Sequence, residues 1–110
     1  MSEEHKLSLN DWVYFRMKRF ICIGRVLRCH DYGTAETPNR YLEMRSARYG
    51  YQYVKEQYDK VAIGRVTPAS LSSPGMLEAT LKEAQNQAVL ESWPNVCALL
   101  EIVIEHVHGL

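Results

Sequence analysis

The stretch Arg40-Tyr41-Leu42-Glu43-Met44-Arg45-Ser46-Ala47-Arg48-Tyr49-Gly50-Tyr51-Gln52-Tyr53-Val54-Lys55 decides which kind of fold this chain adopts. Residues 41–45 have the composition of a strand, and residues 51–55 alternate well enough to be its hairpin partner around Gly50. The competing reading is a helix that begins at Thr37 with Pro38 at its first position. Gly50 and the tyrosine and valine content weigh against an unbroken helix. Residues 37–56 are therefore predicted as strands, with the helix as the alternative.

Toward the N-terminus the same composition continues. Trp12-Val13-Tyr14-Phe15-Arg16 is aromatic and β-branched, Lys18-Arg19 makes a polar break, and residues 20–29 read as a second, longer strand. Gly24 inside that strand predicts a bulge or a sharp bend. Residues 31–39, with Gly33 and Pro38, read as a loop. On the other side, residues 60–66 are predicted as a further strand that ends at Thr67-Pro68. The tetrapeptide Ile-Gly-Arg-Val occurs twice, at residues 23–26 and 63–66, as two similar bent strands would produce.

Beyond Pro68 the apolar period changes from two to 3.6. Ser73-Pro74 predicts a helix start with Ser73 as N-cap. Leu77, Leu81, Ala84 and Ala88 form its predicted inner face, and Glu78 and Lys82 an outer i,i+4 pair. Pro94 interrupts this helix, and Ser92 is placed to cap a second one. Val96, Leu99, Leu100, Val103, Ile104 and Val107 follow helical spacing, with Gly109 as the stop. The apolar arc is wide enough to predict a helix shared between the core and a second copy of the chain. The expected homodimer interface is Leu99, Leu100, Val103, Ile104 and Val107. Trp12 and Trp93 read as packing residues. Trp93, at the helix break, would plug the hinge or anchor a partner.

The predicted fold class is thus α+β: a small bent antiparallel sheet or barrel over residues 10–71, then a pair of C-terminal helices over 72–110, in one domain. The order Asp-Trp-Val-Tyr, Ile-Gly-Arg-Val, a Tyr-rich hairpin and Val-Ala-Ile-Gly-Arg-Val-Thr-Pro-Ala-Ser-Leu resembles an SH3-like small β-barrel across residues 10–71. The resemblance implies contacts with peptides, nucleic acids or assembly partners more than catalysis, and it carries no site residue with it.

Composition narrows the function. With 110 residues the chain fits a single core. Its 13 Lys and Arg balance 13 Asp and Glu, which argues against strong sequence-blind binding to duplex DNA. The balance is uneven, with twelve cationic side chains in residues 1–65 and one in 66–110, so a basic front could face a polyanion. Residues 1–6 lack a signal-like apolar core, and no run is long enough to span a membrane. The odd number of cysteines (Cys22, Cys29 and Cys97) points to reduced thiols in the cytoplasm.

The most suggestive constellation interleaves tyrosines with cations. Arg40, Tyr41, Arg45, Arg48, Tyr49, Tyr51, Tyr53 and Lys55 form the candidate partner surface, since aromatic rings beside arginine forks serve protein hot spots and base stacking alike. The plainer alternative makes alternate tyrosines core and the arginines a solvated face. No Cys-x-x-Cys, His-Glu-x-x-His, nucleophile elbow or phosphate-binding loop is present, so no metal, cofactor or catalytic residue is predicted. The expected function is a non-catalytic module that binds a protein partner, in an accessory or inhibitory role. RNA or single-stranded DNA binding by the same residues is the alternative, and an enzyme with a cleft between sheet and helices the third.

Overall fold

The computed structural model describes residues 7–17, 19–37, 40–54 and 63–110, and for Met17, Asp31 and residues 51–54 the backbone alone. Five antiparallel strands are followed by two helices: β1 (Trp12–Met17), β2 (Phe20–Asp31), β3 (Arg40–Ser46), β4 (Gly50–Val54), the two-residue β5 (Gly64–Arg65), α1 (Met76–Val89) and α2 (Trp93–His108). The fold class is α+β, and residues 40–54 are a hairpin of strands rather than a helix. Pro38, Asn39, Lys55 and residues 56–62 lie outside the described residues, so of the strand expected over 60–66 only Gly64–Arg65 is seen.

The sheet order is β4-β3-β2-β1-β5, open among the described residues and not closed into a barrel. Its bend comes from β2. The first half of this strand pairs with β1 (Trp12 opposite Arg25, Met17 opposite Phe20), and its second half with β3 (Arg25 opposite Arg45, Asp31 opposite Arg40). The register slips between Val26 and Arg28, so the bulge sits at Leu27 and not at Gly24 as expected. An extra residue on one strand increases local twist there. Gly24 has a different role, because a Cβ on it would meet Met44 Cε at 2.0 Å.

Both faces of the sheet carry buried side chains. Trp12 and Ile23 join Val66, Leu71, Met76, Ala79, Ala84 and Leu99 under the helices. On the opposite face Val13, Phe15, Cys22, Val26, Leu42 and Met44 pack together. Each of the valine, leucine, isoleucine, phenylalanine and methionine side chains contributes roughly 1.5–3 kcal/mol by leaving water.

The helices differ from expectation in three respects. The first concerns where α1 begins: Gly75, in the left-handed region at φ 81°, takes the N-cap position, and Ser73 contributes only its carbonyl, which accepts from the Met76 N–H at 3.1 Å. The second is the buried face of α1, which runs along Met76, Ala79, Thr80, Glu83, Ala84 and Gln87 while Leu81 is exposed. Helical spacing admits either stripe, and the partners waiting for Glu83 decide between them. The third is Trp93, which is 63% exposed and does not plug the helix break, whereas Trp12 is core. The break itself is made by Glu91 at φ 60°, with Pro94 inside the first turn of α2 where its missing N–H costs nothing. The expected Glu78–Lys82 pair is present, at 3.9 Å.

Candidate functional site: a basic groove beside an anchored turn

Glu83 is 1% exposed, a carboxylate in the core. Burying it is tolerable only because its oxygens are saturated. Ser46 Oγ donates to Oε1 at 2.9 Å, the Ala47 N–H donates to Oε2 at 2.6 Å, and Gln87 Nε2 donates to Oε2 at 2.8 Å. Ser46 Oγ in turn accepts from the backbone N–H groups of Arg48 and Tyr49, each at 3.1 Å. One acid on α1 thereby holds the whole β3–β4 turn, and Gly50 closes the turn with a left-handed φ of 79°.

This anchor brings three segments together around a groove of about 420 Å³. The β1–β2 hairpin supplies Arg16, Arg19, Phe20 and Ile21. The anchored turn supplies Arg48 and Tyr49, and the start of α1 supplies Pro74, Gly75, Glu78, Ala79 and Lys82. Phe20 is 52% exposed, and the Arg48 guanidinium lies 5.1 Å from the centre of the Tyr49 ring, a cation–π distance. Glu78 is the one carboxylate among the described lining residues, with Lys82 3.9 Å from it. Arg16, Arg19 and Arg48 thus outnumber the acid among the described lining residues.

A smaller polar pocket of about 220 Å³ lies farther along α1. Arg25, Arg45, Gln87, Leu90, Ser92 and Asn95 line it. Arg25 Nη1 donates to Asn10 Oδ1 at 2.6 Å, and Asn95 Nδ2 donates to Ser92 Oγ at 3.4 Å. Both cavities offer cations and hydrogen-bond donors; among the described residues neither brings a nucleophile next to a base.

The candidate residues from the sequence do not form one surface. Arg48 and Tyr49 belong to the groove and Arg45 to the second pocket. Arg40 and Tyr41 begin β3 at its far end, where Tyr41 meets Tyr32 edge-on at 5.9 Å and His30 stacks on Tyr32 at 5.7 Å. Tyr51 and Tyr53 are paired by backbone with Arg45 and Glu43, and Lys55 lies outside the described residues. Sequence reasoning missed Arg16, Arg19, Phe20 and Lys82. The available signal was the run Arg16-Met17-Lys18-Arg19-Phe20, basic residues closing on an aromatic at a hairpin tip.

Of the expected interface residues on α2, Leu99 is fully buried in the core and Val103 packs against it, so Leu99 cannot contact a second copy. Leu100, Ile104 and Val107 are exposed. No group of three or more potential metal ligands occurs among the described residues, and no described helix is long and apolar enough to cross a membrane.

The cysteines are free. Cys22 is 1% exposed, and burial, with a smaller contribution from the Glu83 charge, pushes its pKa up to about 12. Burial, followed by the charge of Asp11, also raises that of Cys29. A raised thiol pKa favours the neutral form in the fold. Its stabilising effect is complete below the ordinary thiol value and is lost as pH rises from about 9 toward about 12. Thiol alkylation at mildly alkaline pH should leave Cys22 unmodified in the native chain and label it after denaturation, as read by peptide mass mapping.

Comparison with known protein families, with curated proteins and with solved structures finds no match. What the chain does must be argued from its own geometry.

Proposed function

We propose that this chain is a non-catalytic binding module whose groove takes a segment of single-stranded RNA or DNA. The observation that carries this reading is the convergence of Arg16, Arg19 and Arg48 on one groove that also exposes the Phe20 ring. Phosphates match the groove's arginines, and a base has a flat face for the exposed Phe20 ring, a stack being worth about 1–3 kcal/mol. Zero net charge is compatible with this, because affinity follows the local field of the groove rather than the total.

A second reading, a protein partner carrying an acidic segment, draws on the same arginines. The apolar exposure of α2, which a nucleic acid does not explain, supports a protein contact in addition.

Fluorescence anisotropy with a labelled pyrimidine-rich oligonucleotide and a labelled oligoglutamate peptide tests both. The oligonucleotide should bind with a log–log salt slope near −2, as about three neutralised phosphates imply for a single strand. Arg19→Ala with Arg48→Ala should weaken binding about tenfold or more and flatten that slope by about 1.4. Binding of the peptide alone would replace the nucleic-acid reading with the acidic-partner one.

A further inference from the structure

Helix α2 has two apolar sides, and the fold uses one. Val96 and Leu99 are buried, and Ala98, Ile102 and Val103 pack against the core cluster. On a different side Trp93, Leu100, Ile104 and Val107 are 63%, 38%, 53% and 51% exposed, and Cys97 is exposed among them. Steps of four, three, four and three residues join Trp93, Cys97, Leu100, Ile104 and Val107. This is the a/d spacing of a heptad repeat over about two heptads, a pattern that keeps a helix seam facing a neighbouring helix.

We propose that this seam is where two copies of the chain meet, helix α2 against helix α2. The exposed seam presents apolar surface on the order of 400 Å², within the range of the largest patch on a monomer. Pairing it with itself removes on the order of 800 Å² in total, the size of a weak, reversible association. A heptad stripe is self-complementary, so a second copy satisfies it with no other chemistry required. Glu101, Glu105 and His108 flank the seam and remain in water, as the rim of such an interface does. The inference does not rest on the groove, whose residues lie between Arg16 and Lys82.

The test is analytical ultracentrifugation of the full chain over a dilution series, with Trp93 emission and the rate of Cys97 alkylation followed in parallel. The expected result is a monomer–dimer equilibrium in which Trp93 emission shifts to the blue and Cys97 becomes protected as dimer forms. Leu100→Glu with Ile104→Glu, which places like charges in the seam, should raise the dissociation constant about a hundredfold or more. The same variant should keep its far-ultraviolet circular dichroism and oligonucleotide affinity. A wild-type chain that stays monomeric at every concentration, or dimerises with Trp93 and Cys97 unchanged, overturns the proposal. So does a folded double variant that still dimerises.

Discussion

Glu83→Ala should destabilise the domain by about 3–5 kcal/mol, a large share of what a chain of this size possesses. The substitution strands three donors at once: the Ser46 hydroxyl, the Ala47 N–H and the Gln87 side-chain amide. Each buried donor left without an acceptor costs about 1–3 kcal/mol. Alanine itself is a good helix former, so the backbone of α1 offers no competing explanation. Glu83→Gln retains one acceptor oxygen and turns an NH₂ group toward donors. It should cost about 1–2 kcal/mol, the difference reflecting charge-assisted bonds. Urea denaturation of the three proteins, monitored by circular dichroism, provides the comparison. Loss of less than about 1 kcal/mol in the alanine variant would show that the turn is held by other contacts. The groove offers a second readout, because Arg48 and Tyr49 follow Ala47 directly. Any variant that loosens the turn should weaken oligonucleotide binding even where the protein stays folded.

Gly24→Val should destabilise by about 2–4 kcal/mol through overpacking. A side chain at position 24 meets Met44 Cε first, at 2.0 Å, and then the backbone oxygen of Arg45 at 3.1 Å. The methionine tip is flexible, but Met44 is fully buried, so its displacement disturbs Val26, Leu42 and their neighbours. Shortening the obstacle should therefore help. Met44→Ala in the Gly24→Val background is expected to recover part of the loss, giving a favourable coupling of about 1 kcal/mol or more in a double-mutant cycle. Simple additivity would mean that the Arg45 backbone, not Met44, is the limiting contact. Thermal denaturation of the four proteins decides between these outcomes.

The α+β order was legible because the apolar period changes beyond Pro68 and because tyrosine, valine and a central glycine disfavour a helix over residues 40–54. Both are local properties. What could not be read are arrangements made by segments far apart in sequence. The groove needs the hairpin at residues 16–21, the turn at 48–49 and the helix at 74–82, and only the turn had been singled out. The polar face of α1 was hidden for a related reason. Glu83 and Gln87 look like solvated residues until Ser46 and Ala47 are known to lie opposite them, so Leu77, Leu81, Ala84 and Ala88 form the more persuasive stripe on paper. The wide apolar arc of α2 was read correctly as exceeding what a core needs. Its division was not, since Leu99 turned inward and Trp93 outward by amounts that helical spacing leaves free.

The last turn of α2 is tied to the segment that leaves the sheet: His106 Nδ1–H donates to the Pro68 carbonyl at 2.9 Å, across 38 residues of sequence. In a chain made from its N-terminus this bond has an order in time. Pro68 emerges with the strands, and its carbonyl must wait until the whole helical pair has been synthesised. A nascent chain paused before position 106 would therefore lack the tie between the last turn of α2 and the segment that leaves the sheet.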